Sequence, residues 1–210
     1  LDRHGLHVTM EEPFVVVGDA APDKLASYSQ RIVRWTVDLL RKAYFRRDPQ
    51  ALVEIWLLST DDSYRHWATT RWGDPPTTPY GYYDPAAEVL VMNISTGGGT
   101  LVHELVHPFI ATNFPRCPKW FDEGLASLYE QSSEREGKLM GLPNWRLAGL
   151  HEALRQKTLP SFKTLCESGR RFYSDDPGTN YAQARYLLYY LQEQGKLVAF
   201  YRKARADFAE

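Results

Sequence analysis

The chain has 210 residues, of which 43% are hydrophobic, and this is enough apolar material for one domain with a substantial core. Its 25 basic and 26 acidic residues leave a net charge of −1, which argues against nucleic acid or an anionic membrane surface as a partner. Two cysteines are too few for a disulfide framework, and no apolar run is long enough to span a membrane.

The first quarter of the chain predicts one βαβ unit. Residues 1–12 are polar and predict a loose arm that could be partly a strand. Residues 14–17 form a short apolar run that predicts a strand, and apolar residues recur at helical spacing from 22 to about 45. Residues 52–58 are apolar on both faces, as in a central strand. Strand, helix and strand in this order predict a parallel pair.

A β-hairpin is predicted next. Residues 61–70 indicate a short helix, and three prolines between 73 and 79 indicate a loop. Residues 80–83 and 88–93 then flank a turn and predict the two arms of the hairpin. The glycines at 97–99 could form an anion-binding nest, but they lack the lysine of a nucleotide loop, so a hinge is favoured.

The run HELVH at residues 103–107 lies inside an apolar stretch. In a helix, His103 and His107 would lie one turn apart on one face, where two imidazoles can hold one metal ion. Glu104, on the edge of that face, could take a proton from a water that zinc has made more acidic. An amphipathic helix with two packed or solvated histidines would show the same five residues, so this motif alone leaves both interpretations open.

A third metal ligand is predicted on the following helix. After a proline-containing connector, residues 119–126 read KWFDEGLA, and we expect this helix to continue to about residue 136. Glu123 falls on a face different from the apolar stripe, so it could extend a carboxylate toward the first helix. The alternative is a solvated carboxylate that the helix dipole favours in the first turn.

The last part of the chain predicts helices. Residues 145–155 and 161–166 indicate two of them, and a long final helix is expected from about 180 to 206, with a weak point at Gly195. His151 lies on the first of these helices. A surface or packing position is favoured for it over a role as third ligand.

HELVH followed by WFDEGLA (residues 120–126) resembles the gluzincin, or peptidase MA-like, superfamily of zinc metallopeptidases, which includes thermolysin and the aminopeptidase N type. Members share HExxH, a short gap, and a glutamate in a W-x-x-E-G-x-A-like helix start. The resemblance implies one Zn²⁺ per chain, bound by His103, His107 and Glu123. It also implies that Glu104 is the general base.

The resemblance carries further expectations. A tyrosine at the start of a late helix would donate to the oxyanion, which points to Tyr181 first and Tyr173 second; a tyrosine packed in the core is the alternative for Tyr181. The hairpin would border the cleft and pair with a substrate backbone, unless it is simply a sheet edge. Independently of the resemblance, a metal-bound histidine usually donates its other N–H, and Asp122 and Ser127 are the candidate acceptors, between which the sequence does not choose. Secreted, periplasmic or envelope-facing localisation is favoured.

Three features depart from these patterns. Pro108 directly follows the second histidine and removes one helix hydrogen bond, so we expect the helix to kink or end soon afterwards. The Gly-Ala-Met-Glu-Asn run of the aminopeptidase N type is absent, which leaves endopeptidase action or no peptidase action open. No histidine lies between residues 107 and 151, which makes a metzincin site unlikely on sequence grounds.

We therefore predict an α+β, zincin-like fold: a small mixed sheet with an edge hairpin and the HExxH helix, followed by a helical lobe. Residues 1–114 would form the N-terminal α/β lobe, and residues 115–210 the helical lobe with the third ligand, in one catalytic domain. The predicted function is zinc-dependent hydrolysis of peptide or protein substrates. The alternatives are a degenerate zincin-fold domain that binds a peptide or protein partner without turnover, and a structural domain with an incidental HExxH. The oligomeric state stays open.

Overall fold

A five-stranded mixed sheet forms the first half of the protein. The computed structural model describes residues 5–73 and 75–208. The strands are β1 (His7–Glu11), β2 (Phe14–Gly18), β3 (Val53–Leu58), β4 (Gly81–Asp84) and β5 (Val89–Asn93). Their order in the sheet is β1-β2-β3-β5-β4; β2, β3 and β5 are parallel, and β1 and β4 pair antiparallel at the two edges.

Helices make up most of the remaining structure. They are α1 (Pro22–Tyr28), α2 (Trp35–Ala43), α3 (Asp61–Trp72), α4 (Gly99–Asn113), α5 (Lys119–Tyr129), α6 (Arg146–Gln156), α7 (Phe162–Cys166), α8 (Pro177–Glu193) and α9 (Leu197–Asp207). A π-helical segment, Ser29–Arg34, joins α1 to α2, and short 3-10 helices span Ile94–Thr96 and Gly169–Tyr173. The protein is therefore of mixed α+β class, as predicted. No helix among the described residues is long and apolar enough to cross a membrane.

The side chains of strand β3 are buried on both faces of the sheet. Ile55 and Leu57 are buried in the larger apolar cluster, whereas Trp56 and Leu58 are buried in a second cluster on the other face. Successive side chains of a strand point to opposite faces, so a strand apolar on both faces must lie between two packed layers. The predicted central strand and the parallel β2–β3 pair are confirmed.

Aromatic packing holds α4 against the rest of the larger cluster. Phe109 on α4 stacks on Phe45, which follows α2, with ring centroids 5.3 Å apart. Phe121 on α5 stacks on Phe200 of α9 at 5.8 Å. The cluster thus joins side chains from both halves of the chain, and it fixes the positions of α4 and α5 relative to each other.

The predicted arm is partly a strand, β1, although residues 1–4 lie outside the described residues. Two sequence predictions need correction. The helix expected to reach residue 136 ends at Tyr129, and β6 (Ser132–Arg135) and β7 (Lys138–Gly141) form a hairpin there. The long last helix is two helices, because Gly195 takes a φ of 64° and ends the first.

Candidate metal centre

Three side chains from α4 and α5 converge at one point. His103 and His107 lie one turn apart on α4, as their spacing predicts, and Glu123 faces them from α5. Glu123 Oε2 lies 3.3 Å from His103 Nε2 and 3.9 Å from His107 Nε2. One potential ligand atom from each residue lies within 4.8 Å of the other two.

One oxygen atom of Glu123 indicates that these residues could hold a metal ion. Glu123 Oε1 accepts a hydrogen bond from the Tyr173 hydroxyl at 2.8 Å. Glu123 Oε2 is buried and lies 3.3 Å from His103 Nε2, but within residues 5–73 and 75–208 no well-aligned hydrogen-bond donor satisfies it. A buried carboxylate oxygen without a donor is costly, and a cation would satisfy it. The His-His-Glu group could therefore hold one metal ion.

Two further carboxylates orient the imidazoles. His107 Nδ1 lies 2.8 Å from Asp122 Oδ1, and His103 Nδ1 lies 3.1 Å from Glu130 Oε1. A carboxylate accepts, so each Nδ1 carries the proton and each Nε2 is left free to bind a metal. Of the two predicted partners, Asp122 takes this position, whereas the buried Ser127 hydroxyl has no described hydrogen-bond partner.

Glu130 was missed in the sequence analysis, and it is the better anchored of these carboxylates. Arg146 donates to both of its oxygens, at 2.8 and 3.0 Å, and Asn144 Nδ2 donates at 3.2 Å. Burial alone would raise the pKa of Glu130, but the contacts with His103 and Arg146 lower it to about 2. Its seven-residue spacing from Glu123, two helical turns, was the available signal; its pairing with Arg146 is purely tertiary.

The glycine run before α4 allows a close approach of two chain segments. A Cβ atom built on Gly99 would lie 2.3 Å from the backbone oxygen of Glu130. One built on Gly98 would lie 2.6 Å from the Ile32 side chain. From its sequence, this run predicts a hinge. The structure instead shows that Gly99 brings the start of α4 against the end of α5, where Glu130 reaches His103.

Pro108 does not end the helix. Helix α4 runs from Gly99 to Asn113, and Pro108 is buried within it. The ring removes one backbone donor, to the carbonyl of Glu104. The expectation was a kink or an end soon after Pro108; the helix continues for five residues beyond it, to Asn113, and His107 keeps its place one turn after His103.

The carboxylates and imidazoles shift one another's pKa values. Burial would lower the pKa of both imidazoles, but the neighbouring carboxylates outweigh it and raise both. Burial would raise the pKa of Glu123, but contacts with the two histidines and the Tyr173 hydroxyl bring it to about 2. The ligand carboxylate is therefore ionised, as metal binding requires.

Glu104 stands beside the triad. Its Oε2 lies 3.9 Å from His107 Nε2, and its side chain is 13% exposed. Burial raises its pKa, while the two imidazoles and the backbone N–H of Tyr83 partly oppose the shift. A raised carboxyl pKa makes Glu104 a stronger base than a solvated glutamate.

A cleft passes over the triad along the edge strand β4. One cavity, of about 590 Å³, lies at the amino end of α4, and another, of about 420 Å³, extends toward its carboxyl end. Both are lined by His103, Glu104 and Tyr181, so they meet at the triad. Tyr80 and Gly81 line the first cavity and residues 82 and 83 the second, so β4 follows the whole cleft.

The two candidate tyrosines lie at the triad in different ways. The Tyr173 hydroxyl donates to Glu123, whereas the Tyr181 ring lies 6.5 Å from the His103 ring and lines both cavities. Burial and then the charge of Glu123 raise the pKa of both phenols, which keeps them protonated as donors. His151 lies exposed on α6, as favoured from the sequence.

The sequence matches no protein-family model, and no curated protein is significantly similar to it. The superfamily resemblance drawn from HELVH and WFDEGLA therefore stays a prediction.

Replacing Glu130 with glutamine is expected to weaken metal binding by about 10- to 100-fold. The amide keeps the shape but loses the charge that pairs with Arg146 and holds His103 Nδ1–H. Zinc affinity would be measured by competition with a chromophoric chelator. The matched control is Glu134→Gln, because Glu134 is an exposed residue that bonds Trp35 outside the site. Equal affinities for wild type and Glu130→Gln would show that the His103–Glu130 contact does not support the metal.

Proposed function

We propose that this protein is a zinc-dependent metallopeptidase of the gluzincin type with a zincin-like fold. The observation that supports this most is the convergence of His103 Nε2, His107 Nε2 and Glu123 Oε2, with Glu104 beside them. Two imidazoles and one carboxylate form the protein donor set of several catalytic zinc sites.

Zinc held by these residues would supply a Lewis acid and a water of lowered pKa. The chain's own contribution begins with the two Nδ1–H donations, which fix the imidazole tautomers and orientation. Asp122 and Glu130 make these contacts from α5 and from the residue that follows it. The arrangement therefore holds the donor atoms in place before a substrate arrives.

Glu104 has the position of a general base. It lies on the cleft side of α4, and its raised pKa lets it accept a proton from water and return it to a leaving amine. Both transfers need a carboxylate that is ionised at rest but not strongly stabilised. Burial provides this condition, because it disfavours the charged form.

Strand β4 offers backbone groups to a peptide substrate. The Asn93 N–H donates to the Tyr80 carbonyl at 2.9 Å, and in the register that follows, Gly81 and Tyr83 occupy non-hydrogen-bonded positions. The N–H and C=O of Gly81 and the C=O of Tyr83 therefore face the free edge beside the cleft, whereas the Tyr83 N–H bonds the Glu104 carboxylate. An extended peptide could add to this edge through main-chain hydrogen bonds, with little demand on its sequence.

Tyr181 is the proposed donor to the oxyanion of the tetrahedral intermediate. It lines both cavities and is held by Arg146, whose guanidinium carbon lies 5.0 Å from its ring centroid. Tyr173 is the second candidate; its hydroxyl donates to Glu123 at 2.8 Å, and the Tyr181 hydroxyl also interacts with that carboxylate. A phenol placed at the cleft would favour the developing negative charge over the ground-state carbonyl.

Binding without turnover is less well supported. Two sequence features suggested it, Pro108 and the small size of the substrate lobe. Helix α4 continues past Pro108, and His107 remains beside Glu123. The proposal is tested by incubating zinc-loaded protein with a peptide library and identifying cleaved products by mass spectrometry. Cleavage should disappear with a zinc chelator and return with added zinc. Peptide retention without cleavage by fully zinc-loaded protein would favour the binding domain and contradict the peptidase.

A further inference from the structure

A separate cavity of about 630 Å³ lies at the carboxyl end of α4. Four arginines from three parts of the chain line it: Arg46, Arg47, Arg116 and Arg205. Within residues 5–73 and 75–208, none of the four forms an ion pair with a carboxylate. Because the whole chain is nearly neutral, this arginine cavity is a local concentration of positive charge.

The cavity is built on the end of α4. Asn113 Oδ1 accepts the backbone N–H groups of Arg46 and Arg47, at 3.2 and 3.1 Å. The Arg47 guanidinium donates to the Thr112 carbonyl at 2.6 Å, which fixes its direction. The Arg46 and Arg116 side chains are exposed, and neither forms a hydrogen bond or an ion pair with another described residue. Their charges are therefore available to a ligand.

The arginine cavity adjoins the metal cleft. Phe114 and Pro115 line both the arginine cavity and the 420 Å³ cavity beside His107. Phe114 follows His107 by seven residues, which at the rise of an α-helix is about 10 Å along the axis. An extended peptide covers that distance in about three residues. A chain bound along the cleft would therefore reach the arginines a few residues from the triad.

We propose that the arginine cavity is a substrate subsite for acidic side chains of a polypeptide, about three to five residues from the bond that is cleaved. This rests on the proposed peptidase function. Guanidinium groups bind carboxylates with two parallel hydrogen bonds, and the unpaired arginines offer this geometry without first breaking an ion pair. The cavity thus selects acidic segments, whereas β4 binds the backbone without regard to sequence.

The direct test is binding of a fluorescein-labelled tetraglutamate peptide to zinc-loaded protein, followed by fluorescence anisotropy. The variant is Arg46→Glu/Arg116→Glu, because neither side chain has a recorded partner whose loss would disturb folding. Reversing two charges near the ligand should weaken binding by about tenfold or more at low salt. The control, Arg71→Glu/Arg135→Glu, makes the same change in net charge at two exposed positions outside the cavity. It should weaken binding by less than about twofold, since distant charges are screened.

Equal losses in the two double variants, or no loss in the cavity variant, would overturn the subsite. A pair of cleavable peptides separates it from the proposed function: one carries glutamate and the other glutamine three to five residues from the cleaved bond, on both sides. The subsite predicts a higher kcat/KM for the glutamate peptide, lost in the cavity variant. Equal cleavage of the two would reject the subsite and leave the peptidase standing. Tetraglutamate binding that only the cavity variant loses, with no cleavage of any peptide, would reject the peptidase and keep the acidic-ligand site.

Discussion

Changing Glu104 to glutamine is expected to reduce peptide hydrolysis by about 10²- to 10⁴-fold while the bound metal is retained. Glutamine has nearly the same shape, but its amide cannot accept the proton that a hydrolytic water must lose. Glu104 Oε2 lies 3.9 Å from His107 Nε2, so this carboxylate is next to the candidate metal site. The loss should fall on kcat, because β4 and the cleft walls would still bind the peptide.

The measurement needs both activity and metal content for the same preparation. Glu88→Gln is the matched control, since Glu88 is an exposed carboxylate between β4 and β5 and does not line the cleft. It should hydrolyse peptides at the wild-type rate. If Glu104→Gln kept full zinc and the wild-type rate, another residue would be the base and the proposed mechanism would be wrong.

Arg185→Ala is expected to lower the free energy of unfolding by about 3–5 kcal/mol. Arg185 on α8 is fully buried and donates to the carbonyls of Ser127 and Leu128 at the end of α5, and to that of Leu142. Bonds from a charged donor contribute about 1.5–3 kcal/mol each, and their loss would leave buried carbonyls unsatisfied. Relief of the burial cost, which also lowers the pKa of Arg185, offsets part of this loss.

Thermal unfolding would measure the change. For a domain of this size, 1 kcal/mol corresponds to about 2–4 °C in Tm, so a decrease of roughly 6–20 °C is expected. Arg202→Ala, at an exposed position on α9, is the control and should shift Tm by no more than about 2 °C. A shift for Arg185→Ala as small as that of the control would show that these bonds do not hold the end of α5.

The arrangement of the candidate metal ligands could be predicted from sequence because it depends on local rules. Two histidines four residues apart must share a helix face, and Pro118 correctly marked the start of α5 with Glu123 in its first turns. The core strands could be predicted equally well, since an apolar run such as β3 is compatible with few secondary structures other than a buried strand. Local propensity and burial agree at these positions.

The hairpin after α5 could not be predicted in the same way. Its turn places Glu136 at φ 54° and Gly137 at φ 72°, and a glutamate in the left-handed region is uncommon. Gly137 was therefore the only sequence signal for this turn, and helix α5 was predicted to continue too far. The role of Glu130 could not be predicted for the same reason, because its carboxylate contacts Arg146 only once α5 has ended and the chain has turned back.

The most direct test of the account is the zinc content of wild type and Glu123→Ala, each purified without added metal or a chelating resin. We expect about one zinc per chain in the wild type and much weaker binding in the variant, because Glu123 supplies the only carboxylate oxygen of the three-residue group. Absence of zinc from the wild type, even after gentle reconstitution, would contradict the metal centre and remove the basis for the peptidase.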